Sequence, residues 1–291
     1  MKWIKLFLLF VAFSATEVIV AQVSSDWTRD VTILGSFFET APKAPVDSTM
    51  IRAALYFLNS PYESETLEGE DEEDLVVDLR TFDCVTFVES CLALSRANQY
   101  PYPDMDYFER ELRLIRYRNG IVNGYTSRLH YMSDWIFDNA GKGIVEDVTH
   151  ALGGQKLKMN VHFMSDNFRK YPQLSNSPDD VQRMQVIERQ INSRGNYYYI
   201  PKIEIREKQS LIKSGDIICF TTSIPGLDTS HVGIAYWHKG QLTFIHASTI
   251  VTKVIVNPES LSDYCTKIKS NTGIIVLRPV NTSQQPEINA N

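Results

Sequence analysis

Apolar positions recur at three- and four-residue steps through the first two thirds of the chain, then give way to short β-branched and aromatic runs after Gly195. Residues 47–59, with Asp47-Ser48 as the cap before Met50, Ile51, Ala54, Leu55 and Leu58, have the spacing of a helix. A second helix starts near Asp83, after the short apolar piece Leu75-Val76-Val77. Its residues Cys84, Phe87, Val88, Cys91 and Leu92 form the i, i+3, i+4, i+7, i+8 stripe of a core-facing helix. The same periodicity predicts helices at about 105–117, 127–139 and 178–193. Strands are predicted at 197–200, 216–221, 231–237, 242–247, 252–256 and 273–277, each bounded by turn residues. His238-Lys239-Gly240-Gln241 reads as a hairpin turn. With a two- or four-residue loop, His246 opposes Gly233 and shares a sheet face with His231. Helices first and adjacent strands later predict an α+β fold with an antiparallel sheet.

The chain has 291 residues, 43% hydrophobic and 22% charged, which excludes whole-chain disorder. A net charge of −6 offers no basic field for a phosphate backbone, so no nucleic-acid partner is expected. No internal repeat or low-complexity linker divides it. The start is different in texture. Met1-Lys2-Trp3-Ile4-Lys5, the apolar stretch Leu6 to Ser14 and Ile19-Val20-Ala21 before Gln22 read as a cleaved export signal over 1–21. Glu17 interrupts the run before it is long enough to span a bilayer, so no membrane insertion is expected of the mature chain, 22–291. Residues 63–74 hold eight acidic residues and read as a solvated loop without the spacing of a calcium loop. The last dozen residues are polar and read as loose.

The cysteines are Cys84, Cys91, Cys219 and Cys265. An even count in an exported chain suggests disulfides, but Cys84 and Cys91 on one helix would have Cα atoms roughly 10 Å apart, out of reach. Pairing of Cys219 with Cys265 stays open at this level. Cys84 is the most informative residue, because Asp83 or Thr81 can cap the helix and place the thiol in its first turn, where free N–H groups favour a thiolate. A helix-capping Cys with two histidines on one hairpin face has the logic of a nucleophile, a base and a group orienting the base. On the predicted helix after Thr126 or Ser127, Tyr131 and Trp135 stand at i, i+4 as a candidate aromatic wall for a sugar, and His130 and Asp134 form a second i, i+4 pair. His150 and His162 read as structural or exposed. With no HExxH, CxxC or phosphate-cradling motif, no metal or other cofactor is expected.

At these residues the chain resembles a known family. Asp83-Cys84 opening a helix, Ser214-Gly215-Asp216-Ile217-Ile218, Ser230-His231-Val232-Gly233-Ile234 and the later strand histidine resemble the NlpC-type cell-wall cysteine hydrolases. The strings from Leu79 to Glu89 and Ser127-Arg128-Leu129-His130-Tyr131 look like their N-acetylmuramoyl-L-alanine amidase-like branch. The resemblance implies a papain-like core whose antiparallel sheet packs on the Cys-bearing helix, with Cys84, His231 and His246 as nucleophile, base and third member. It implies peptidoglycan fragments as partners and a periplasmic site of action. Asp83, Arg128, Tyr131 and Trp135 are the candidate substrate-binding residues. Simple members keep Cys and His closer in sequence, so a helical insertion at about 100–195 is expected to build the cleft. The family reading also admits an endopeptidase cutting between D-glutamate and a diamino acid. Other classes are a non-catalytic muropeptide-binding module and a thiol-redox protein, the latter weakened by the lack of a CxxC pair.

Overall fold

Helices occupy the first half of the chain, as their apolar spacing requires. The computed structural model describes residues 14–68 and 72–281, with the side chains of the first helix described from Asp26 onward. The helices in chain order are α1 (Ser14–Thr40), α2 (Val46–Tyr56), α3 (Cys84–Ala97), α4 (Met105–Arg116) and α5 (Met132–Gly141). Two short strands follow, β1 (Val145–Asp147) and β2 (Gln155–Leu157). They lead into α6 (Phe163–Asp166), α7 (Pro172–Asn176) and α8 (Pro178–Arg194). The C-terminal part comprises β3 (Tyr197–Pro201), α9 (Ile205–Lys208), β4 (Ile217–Thr222), β5 (Thr229–His238), β6 (Gln241–Ser248), β7 (Lys253–Val256), α10 (Leu261–Lys267) and β8 (Asn271–Pro279).

Among the described residues the strands form one antiparallel sheet in the order β2-β3-β8-β4-β5-β6-β7, with β1 paired to β8. Period-two alternation gives the sheet two covered faces. Ile217, Cys219, Val232, Ile234, Ile245 and Ala247 face α2 and α3, whereas Ile218, Phe220, Ala235, Leu242 and Phe244 pack with Ile205, Leu261 and Cys265 under α9 and α10. Cys219 and Cys265 therefore stand in cores on opposite sides of the sheet, and both are free thiols. The disulfide left open by the sequence is excluded by this alternation.

From Thr86 to Ala97, α3 is buried at every position. A helix with no face in water cannot leave its charged residues unpaired. Glu89 accepts from Arg116 Nε of α4 at 2.7 Å and from the Trp135 indole of α5 at 3.1 Å. Arg96 pairs with Glu111 of α4 at 2.7 Å, and the Tyr100 hydroxyl donates to the same carboxylate.

The structure changes several expectations. The helix predicted over 127–139 begins only at Met132, preceded by a 3-10 turn at Tyr125–Ser127 and extended backbone at Arg128. Neither Thr126 nor Ser127 caps it. The cap comes from across the fold: Asp228 Oδ2, in the loop before β5, accepts the Ser133 N–H at 2.6 Å. The stretch 105–194 is mostly helical but also contributes β1 and β2 to the sheet. The acidic run is not merely solvated, because Glu73 accepts from the Tyr117 hydroxyl at 2.8 Å and Glu68 from the Tyr125 hydroxyl at 3.0 Å. Of the expected export signal, residues 1–13 lie outside the described residues, as do 282–291 of the polar tail. No helix among the described residues is long and apolar enough to cross a membrane.

The buried pair on α3 gives a direct test. Glu89→Gln leaves the Arg116 guanidinium, 3% exposed, without its counter-charge, and should cost about 3 kcal/mol of stability. Urea unfolding of wild type and variant measures it; a loss under about 0.5 kcal/mol would show that the pair does not hold α4 and α5 to α3.

Candidate active site

The start of α3 is fixed by a reciprocal cap. Asp83, in extended backbone, accepts the N–H groups of Val85 and Thr86 at 2.9 and 2.7 Å through Oδ1, and Thr86 Oγ1 accepts the Asp83 N–H at 2.9 Å. Of the two capping candidates it is Asp83, not Thr81, that serves. Cys84 is thus the first helical residue, half-buried, with its sulfur against the backbone N–H of Val232 on β5. Tyr62 and Tyr264 are its charged-state neighbours.

The thiol does not behave as position alone predicts. Burial, and next the Asp83 carboxylate beside it, push the Cys84 pKa up to about 12. The N–H groups of Val232, Cys84 and Val85 pull the other way and are outweighed. The expected stabilised thiolate is replaced by a protonated thiol at rest.

The two histidines meet as the strand pattern predicts. β5 and β6 are joined by Lys239 and Gly240, both at positive φ (50° and 80°), a turn whose twist suits a hairpin. The register follows, His238↔Gln241 through Ile234↔Ile245, and pairing stops there, just where the histidines stand. His231 Nε2 and His246 Nδ1 lie 2.7 Å apart. Gly233 makes the approach possible: a Cβ on it would fall 2.8 Å from the Phe244 ring, 3.0 Å from the Ile245 carbonyl and 3.2 Å from His246 Cβ.

Both rings rise from the face opposite Val232 and Ile245, among Phe220, Phe244 and Tyr264. Tyr264 neighbours His231, with ring centroids 6.4 Å apart, and also Cys84. Burial lowers the His231 pKa to about 4. Burial, then the neighbouring His231, lowers that of His246 to about 3. At neutral pH the set is a neutral thiol and two neutral imidazoles, one of which can accept a proton.

The residues expected to bind substrate are placed differently. Tyr131 and Trp135 are 2% and 1% exposed and form no wall toward solvent. The Tyr131 hydroxyl donates to Glu188 at 2.7 Å and accepts the Met164 N–H, while Trp135 is held by Glu89. Their i, i+4 spacing marked a core stripe, because the helix is covered on that side by α3 and α8. Arg128 is also buried, paired with Glu68 at 3.0 Å and Glu73 at 3.1 Å. His130 and Asp134 do not pair: His130 bonds the Tyr125 carbonyl, and Asp134 is taken by Arg118 and Arg194. Asp83 commits Oδ1 to the cap. His162 meets Asp166 at 2.7 Å on the surface. A cavity of 570 Å³ opens between the acidic loop and α7–α8, lined by Glu68, Glu73, Tyr125, Gln173 and Asp180 among others, and does not include the Cys-His-His set.

The chain has relatives. A family model described as N-acetylmuramoyl-L-alanine amidase-like matches residues 52–274. The chain belongs to that family. An N-acetylmuramoyl-L-alanine amidase from Bacteroides uniformis is 37% identical over 80% of this chain and 98% of its own, with a TM-score of 0.77. A candidate xylanase from Bacteroides fragilis is 43% identical over 78% and 99%, with a TM-score of 0.74. A Legionella pneumophila protein at 21% identity shares the fold alone, with a TM-score of 0.68. Comparison with curated proteins finds no match.

Asp83 both caps the helix and opposes ionisation of the thiol. Asp83→Asn keeps a capping oxygen and removes the charge, so Cys84 should be alkylated by iodoacetamide roughly threefold faster or more at pH 8. Mass-resolved alkylation kinetics check it; an unchanged rate would mean that burial alone sets the thiol.

Proposed function

We propose that the protein is an exported cysteine amidase with a papain-like core, cleaving the amide between N-acetylmuramic acid and L-alanine in small peptidoglycan fragments. The observation that carries this reading is the 2.7 Å contact of His231 with His246, beside a thiol at the capped start of α3 whose sulfur meets the residue after His231. The amidase family and the Bacteroides uniformis relative support the bond assignment. Retaining or inverting sugar hydrolysis calls for two cooperating carboxylates, and Asp83 beside the thiol already serves as a cap.

The chemistry follows from the neutral pair. As Sγ attacks the lactyl carbonyl carbon, its proton passes to His231 Nδ1, and the new C–S bond leaves a tetrahedral oxyanion near the backbone N–H groups opening α3. The imidazolium then gives its proton to the L-alanine nitrogen as the C–N bond breaks. Water attacks the thioester with His231 again as base, releasing the lactyl carboxylate and restoring the thiol. His246 holds the His231 ring throughout.

Mass spectrometry of purified muropeptides, with and without a 1,6-anhydro end, tests the bond. Free sugar plus a peptide beginning at L-alanine is expected, and Cys84→Ala should abolish it. A cut inside the peptide would replace the amidase by an endopeptidase, and no cut of any fragment would favour a binding module.

The pH profile tests the base. Activity needs His231 unprotonated, and its pKa lies at about 4, so kcat/KM should hold through mildly acidic pH and fall only as pH drops through about 4. An acid limb centred near the ordinary histidine value, 6.5, would refute the buried neutral base.

A further inference from the structure

His246 uses Nδ1 for His231, and its other nitrogen, Nε2, is buried with no partner inside ordinary hydrogen-bond limits. Besides the rings of Phe244 and Tyr264, the polar side chain of Asn257 interacts with this imidazole. The sheet explains why. His246 pairs with Ile255 across β6 and β7, and Asn257 stands two residues beyond Ile255 on the same face, its N–H donating to the Phe244 carbonyl at 2.8 Å. Asn257 is itself 6% exposed and held by its backbone, whose carbonyl accepts from Thr243 Oγ1 at 2.6 Å.

We propose that Asn257 is a positioning residue that sets the tautomer of the whole histidine relay. Its Nδ2 donates to the Glu259 carbonyl at 3.0 Å, and a carbonyl can only accept, so the amide cannot be turned over. Oδ1 then forms the other limb of the amide and is the acceptor assigned to the His246 Nε2–H, at a reach slightly beyond an ordinary hydrogen bond. With that proton on Nε2, His246 Nδ1 must accept from His231 Nε2–H. His231 is left with a bare Nδ1, the nitrogen the thiol needs. The opposite order, with Asn257 donating to His246, would place a proton on His231 Nδ1 and leave Cys84 without a base. The direction of the relay rests on the cysteine-amidase reading; the tautomers themselves can be read without substrate.

The experiment is 15N NMR of histidine-labelled, substrate-free enzyme, joined to kcat on a muropeptide. In the wild type, His231 and His246 should both carry their proton on Nε2. Asn257→Ala should let His246 exchange between tautomers and lower kcat by about tenfold to a hundredfold, with KM little changed. Asn257→Asp keeps an acceptor for His246 and should keep the wild-type tautomers. Both variants lose the bond to Glu259, and the Asp carboxylate in addition faces that carbonyl with no proton to share. Equal spectra and equal kcat for the two would reduce Asn257 to a turn-closing residue, and a wild-type proton on His246 Nδ1 would overturn the proposal outright. A wild-type enzyme that cleaves no muropeptide would refute the amidase reading, while the spectra would still decide the tautomer.

Discussion

Desolvation of α3 is the constraint on which the rest of the molecule turns. Every residue from Thr86 to Ala97 is out of water, yet the helix carries Glu89 and Arg96. A lone buried charge is costly enough to unfold a domain of ordinary stability, so these two side chains require a surrounding shell that supplies counter-charges. Arg116, Glu111, Tyr100 and Trp135 form it, and all belong to segments packed beside α3. The region between Cys84 and His231 is therefore first a casing for the helix that holds the thiol.

The same dryness governs the chemistry. It raises the thiol, lowers both histidines and lets neutral groups meet without trapping an ion pair at rest. A resting thiolate–imidazolium pair would have to be held in a region of low polarity, and Asp83 adds a like charge against it. On the proposed mechanism, charge separation is deferred to the moment when a carbonyl is present to receive the sulfur. The cap and the burial thus act on the Cys84 proton in the same sense: Asp83 fixes the place of the thiol, and its charge joins burial in holding the proton.

Much of this was legible in the chain. The stripe from Cys84 to Leu92 gave α3, and the Lys239-Gly240 turn gave the register that brings His246 opposite Gly233. Both are local signals with a period of 3.6 or 2. What escaped reading was long-range. Asp228 capping α5, Glu68 and Glu73 gripping Arg128, and Asn257 beside His246 join segments that share no sequence period. Tyr131 and Trp135 show the limit of a single helix face: the spacing said that they lie together, and only the covering helices decided that they face inward.

The position of β8 has a temporal consequence. The last strand of the described chain is not an edge strand; it lies inside the sheet, between β3 and β4. On a chain emerging from the ribosome, the thiol helix and all of its casing exist before the histidine hairpin, and the hairpin exists before the strand that ties it to β3. Until that strand arrives the sheet is two fragments, β2-β3 and β4 to β7, with β1 unpaired, and their open edges face each other and neighbouring chains. Assembly of the Cys-His-His set into a closed sheet is thereby one of the last events in the protein's birth.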